Sequence, residues 1–106
     1  MKTIFLSMPL KGKTEEEIKA AKAEALKDIH KIMANTPFVV MTGENKIIGN
    51  LKGDIPTSLR VFCLGDSIKI LSQCDFAYFA KGWSTAKGCA IEHDVALTYE
   101  IPILND

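Results

Sequence analysis

Three short stretches of continuous apolar sequence constrain this chain most: Thr3-Ile4-Phe5-Leu6-Ser7, Phe38-Val39-Val40-Met41 and, after its first residue, Asp75-Phe76-Ala77-Tyr78-Phe79-Ala80. Each is too short for a helix and none alternates apolar with polar. Such runs fit strands buried on both faces, as in a parallel sheet covered by helices on either side. Helical patterns lie between them. Thr14 and Glu17 have the spacing of a capping box, and Glu15 and Glu16 add negative charge to the same first turn. Ile18, Ala21, Ala25, Ile29 and Ile32 then recur at helical spacing, with Lys19, Lys22, Lys27 and Lys31 on the other sides. The pattern predicts an amphipathic helix to about Ala34, with His30 at its solvated edge. Asn35-Thr36-Pro37 ends it.

Strands alternating with helices give an α/β layered domain, and 106 residues suffice for one domain with its own core. Ile101-Pro102-Ile103-Leu104 predicts a short fourth strand, with Pro102 marking an edge position. Right-handed crossovers make 2-1-3-4 the simplest strand order, with helices on both faces. Strands 1 and 3 are then adjacent where the winding reverses, and open α/β sheets bind ligands outside the carboxyl ends of the strands at that point. Two loops leave there, residues 7–13 and 81–88. Residues 42–56 carry Gly43, Gly49, Gly53 and Pro56 around a small apolar knot, Ile47, Ile48 and Leu51. That predicts a lid, a binding loop, an oligomer contact or a surface excursion. Thr57 or Ser58 is expected to cap a helical stretch with Leu59, Phe62 and Cys63 inward. Gly65 is expected to interrupt it, and Asp66 to cap a second piece over 67–72.

The stretch from Ala80 to His93 carries the chemistry. It reads as the end of a strand, a Gly-bounded turn and the first turn of a helix that Glu100 ends. At about 100° per residue, Ile91, Val95, Ala96 and Tyr99 share one helix face, and Glu92 falls within that arc. A carboxylate there is expensive to bury unless it is paired or put to use. Ser7, Met8 and Pro9 are expected on one wall of the pocket, and Gly82, Trp83 and Ser84 on the other. Free amides around residues 86–89 suit an anion such as phosphate. Trp83 is suited to stacking on a flat base or to capping the sheet edge. Cys89, near a helix N-terminus, is a weak nucleophile candidate.

Thirteen basic residues balance thirteen acidic ones, and Arg60 is the lone arginine, so no basic field is present for a nucleic-acid polymer. The apolar runs fall short of a membrane span, and the N-terminus has no convincing cleavage site. Cys63, Cys74 and Cys89 lack metal-type spacing and, with His30 and His93, build no metal site; they read as reduced cytoplasmic thiols. No cofactor is expected.

Taken together, the segments Phe5 to Thr14, Leu64-Gly65-Asp66-Ser67, Cys74 to Trp83 and Lys87 to His93 resemble a group of small phage and bacterial proteins similar to the nucleoside 2-deoxyribosyltransferase superfamily. The resemblance covers nearly the whole chain, and the Gly-Trp to Glu-His block is its most specific part. It implies a flavodoxin-like, Rossmann-like domain that forms a homo-oligomer, a dimer or larger. It implies that Glu92 attacks the anomeric carbon of a deoxynucleoside; if it does, Asp66 is the candidate to help protonate the leaving base. Residues 84–88, Lys87 and Gly88 among them, match the loop that holds phosphate in the related hydrolases, and residues 7–9 match the loop that contacts sugar and base. Ala86 stands where the transferases place a sugar-binding Asp, and Phe5 where an aromatic hydroxyl commonly orients the Glu. Two functions follow: cleavage or transfer of an N-glycosidic bond, or non-catalytic binding that senses or sequesters a nucleotide signal, as in phage anti-defence.

Overall fold

A computed structural model describes residues 1–43 and 56–105. Strand β1 (Lys2–Ser7) is followed by helix α1 (Glu15–Met33), strand β2 (Phe38–Thr42), helix α2 (Thr57–Leu71), strand β3 (Phe76–Phe79), a 3-10 turn (Trp83–Thr85) and helix α3 (Lys87–Thr98). The sheet is parallel with order β2-β1-β3. The α/β layered class and the adjacency of the first and third strands are as expected. The fourth strand is not formed. Ile103 makes a single parallel bridge to Ala77, held by Ala77 N–H to Pro102 O and Leu104 N–H to Ala77 O, both 2.9 Å. Pro102 has no N–H to extend the ladder, so pairing stops at one bridge.

Strand alternation sorts the core into two layers. Ile4, Leu6, Tyr78 and Ala80 pack against Ala25, Ile29 and Met33 of α1. Phe5, Ala77 and Phe79 face the other way, against Leu71 of α2 and Ala96 of α3. Helices therefore cover both faces. The capping box of α1 is complete: Glu17 N–H donates to Thr14 Oγ1 and Thr14 N–H to Glu17 Oε1, both 3.1 Å. The buried stripe of α1 is Ala25, Ile29 and Met33, whereas Ile32 is exposed. His30 is exposed and rests against Phe38 with ring centroids 4.8 Å apart.

Helix α2 departs from expectation. It runs unbroken through Gly65 and Asp66, and its N-cap is Pro56, with no side-chain cap. A glycine weakens a helix interior by about 1 kcal/mol against alanine without having to end it. Cys63 is buried as expected, but Phe62 is exposed. Gly43, just past β2, comes so close to α2 that an added Cβ would lie 2.7 Å from Ser67 Cβ. Ser67 Oγ donates to Gly43 O across that contact. The apolar knot Ile47, Ile48 and Leu51 lies outside the described residues. No helix among them is long and apolar enough to cross a membrane.

Candidate functional site

The site forms where β1 and β3 end side by side. Ser7 lies in register with Phe79, and Ala80 N–H donates to Ser7 O at 2.9 Å. The period of two puts Ser7 on the same sheet face as Phe5, the face that α3 covers. Gly82 then turns the chain with φ +89°, a left-handed conformation that glycine adopts without strain. An added Cβ on Gly82 would sit 3.6 Å from Pro9, so the two loops do meet. The 3-10 turn follows, and α3 starts at Lys87 with Ala86 as an N-cap that supplies no side chain.

Helix α3 buries Cys89, Glu92, His93 and Ala96. That spacing is one helix face. It is rotated from the expected arc: Glu92 is buried as anticipated, but Ile91 and Tyr99 are exposed, Tyr99 at 75 %. The 3-10 turn explains the rotation. It brings Trp83 flat against His93, ring centroids 3.8 Å apart and planes 13° from parallel, while Phe79 meets His93 edge-on at 4.9 Å. Aromatic packing beneath the turn, rather than the apolar count of the helix, sets which face turns inward.

Ser7 and Phe79, in register on neighbouring strands, thus meet the consecutive residues Glu92 and His93. Ser7 Oγ donates to Glu92 Oε1 at 2.7 Å. Glu92 is 6 % exposed, and burial pushes its carboxyl above the ordinary value while the Ser7 hydrogen bond pulls it back. Cys89 lies one turn earlier on the same face. Burial pushes its thiol up and the nearby Glu92 charge adds to that, against a lowering contribution from the Ser7 hydroxyl. Cys89 is thus buried, with its thiol raised rather than lowered at this helix start.

Of the other expected residues, Met8 and Pro9 are half-buried beside the turn, and Trp83 is half-buried with one ring face occupied by His93. Gly82, Ser84, Lys87 and Gly88 are exposed along the turn and the helix start. Asp66 is exposed in the middle of α2 and caps nothing. It shares its turn with Leu64, which approaches Gly88, and with Ser67, which holds Gly43. His93 was not singled out from sequence as part of the site; its position four residues after Cys89 was the available signal. Two surface clefts lie elsewhere. One of about 210 Å³ is lined by residues of α3 and the C-terminal segment including Leu97 and Ile101, and one of about 420 Å³ includes Met1, His30 and Phe38. Neither touches Ser7, Glu92 or Trp83. Among the described residues no three His, Cys, Asp or Glu side chains gather as a metal set. No family model, no curated protein and no solved structure matches this chain.

Proposed function

We propose that the chain recognises a deoxynucleoside or its monophosphate and acts on its N-glycosidic bond with Glu92 as nucleophile. One observation carries the reading: a carboxylate 6 % exposed, held by the Ser7 hydroxyl, at the carboxyl ends of the neighbouring parallel strands β1 and β3. A Glu92 oxygen bonds to the anomeric carbon as the carbon–nitrogen bond breaks. The electron pair leaves with the base, which takes up a proton, and Asp66 is the residue assigned to supply it. Water or a second base then attacks the same carbon and frees Glu92. The uncapped start of α3, with Lys87 in its first turn, suits a 5′-phosphate. The half-buried Trp83 offers its remaining edge and face to the base. The flavodoxin-like assignment, the homo-oligomer and the deoxyribosyltransferase kinship belong to this reading.

A second reading is binding without chemistry, in which the same residues sense or sequester a nucleotide. Ala86 favours it, because the α3 N-cap brings no carboxylate to the sugar hydroxyls. Incubation with nucleosides, monophosphates and adenine dinucleotide derivatives, followed by liquid chromatography with mass detection, separates the two. Free base that disappears with Glu92→Gln supports the enzyme. Intact nucleotide recovered only by denaturing the washed protein supports the binder. Free base at wild-type level from Glu92→Gln overturns the catalytic role of Glu92.

A further inference from the structure

Ser7 ends the central strand, and its backbone is tied on the β3 side through Ala80. Its side chain is 2 % exposed and lies against Cys89 as well as Glu92. A serine hydroxyl has one proton to give. Here the proton goes to Glu92 Oε1 at 2.7 Å, the length of a strong hydrogen bond to a carboxylate. A hydroxyl that is buried and already donating has no proton left for a sugar or base. We infer that Ser7 is a positioning residue for Glu92 rather than a ligand contact: it clamps Oε1 to the end of β1 and leaves Oε2 to meet the ligand. The inference rests on the reading of Glu92 as the reactive group.

The surroundings make this hydroxyl matter. From β1 comes the Ser7 hydroxyl. From β3 and the 3-10 turn come Phe79 and Trp83, which take the neighbouring His93. From α2, Leu64 approaches the start of α3. On α3 itself the titratable neighbours are Cys89, whose thiol feels the Glu92 charge, and His93, whose ring is stacked on Trp83. Lys87 and Asp94 on the same helix are exposed. Among the described residues, burial disfavours the Glu92 charge and Ser7 opposes that effect. Removing the hydroxyl leaves the carboxylate buried without its donor, free to rotate and harder to ionise.

The test is a carbon-13 carboxyl titration of glutamate-labelled full-length protein, with the Glu92 signal assigned by its loss in Glu92→Gln. Ser7→Ala is expected to move that titration to higher pH and Ser7→Thr to restore it. Ser7→Cys, close in size and a weak donor, replaces Ala where Ala does not fold, with the same expected direction. On nucleotide cleavage, Ser7→Ala is expected to lower kcat about 10- to 100-fold at pH 7 with KM little changed. Its acidic limb should move to higher pH, and Ser7→Thr should restore it. An unmoved titration, or a raised KM with kcat intact, overturns the inference. A moved titration with no base released by any protein, wild type included, supports the positioning and overturns the catalytic reading alone.

Discussion

The Ser7 hydroxyl and the Glu92 carboxylate are 85 positions apart in the chain and 2.7 Å apart in the fold. Three features of the described chain close that distance: a crossover through α1 to β2, the passage through α2 into β3, and a glycine turn that delivers α3 onto the strand ends. The pairing gives Glu92 a defined orientation while it remains nine-tenths buried. Burial of a carboxylate opposes stability, and that can be measured.

Stability should report the burial of Glu92. A carboxyl raised in the fold keeps a proton that the unfolded chain has already released. Its stabilising effect is full below the ordinary value of 4.5 and is lost as pH rises through the folded-state value. At neutral pH, above the ordinary value, the raised carboxyl of Glu92 therefore weighs against the fold. Glu92→Gln is expected to raise the urea midpoint at pH 7, and its advantage should shrink as pH falls through the folded-state value of Glu92 and be gone below 4.5. An advantage that is constant with pH, or a loss at pH 7, would contradict this.

Helix α2 allows a direct check of its continuity. Gly65 is in the helix interior, and an added Cβ would meet nothing within 4 Å. Gly65→Ala is expected to stabilise the protein by about 0.5–1 kcal/mol in denaturant unfolding. A break at this position, as its sequence suggests, would give the opposite sign.

The end of β2 behaves differently. At Gly43 a Cβ would fall 2.3 Å from Ser67 Oγ and 2.7 Å from Ser67 Cβ. Rotating the hydroxyl away relieves only the first of these. Gly43→Ala should destabilise by about 1–3 kcal/mol, and Gly43→Ala with Ser67→Gly should recover part of the loss. A double variant no better than the single one would place the strain elsewhere.

Asn105 completes the outer side of β3 where the fourth strand fails. Its Nδ2 donates to Phe79 O at 2.7 Å and its Oδ1 accepts from Phe79 N–H at 3.1 Å. The side-chain amide thus imitates a paired strand residue. Asn105→Ala removes two hydrogen bonds and should lower stability by about 1–3 kcal/mol. Asn105→Asp keeps the acceptor but turns the donor into an oxygen facing the Phe79 carbonyl, so its deficit should grow as the new carboxyl ionises. Thermal melts across the acidic range would show whether it does.

The sequence was most readable where structure is decided locally. The Thr14–Glu17 box, the places of the three strands and the burial of Glu92 each follow from spacing within a few residues, although β2, at the sheet edge, is only half-buried and leaves Val39 exposed. It was least readable where a distant partner decides. Nothing near Ser7 marks it as the partner of Glu92, since only the crossover brings α3 over β1. Ile91 and Tyr99 look inward by hydropathy, but the stack of His93 on Trp83 turns the helix so that Cys89 and His93 are buried instead. Gly65 reads as a break because propensity is weak against the packing of Cys63, Ser67 and Leu71 on either side of it. The 101–104 run has strand composition, and Pro102 limits it to one bridge.

Catalysis as proposed requires a covalent bond between Glu92 and the sugar. Acid-quenched intact-protein mass spectrometry during incubation with deoxynucleosides and their monophosphates looks for that bond. A protein species heavier by one deoxyribosyl or deoxyribosyl-phosphate group is expected. Peptide mapping should locate that group on Glu92, with no such species in Glu92→Gln. Base release with the sugar on another residue, or base release undiminished in Glu92→Gln, would contradict it.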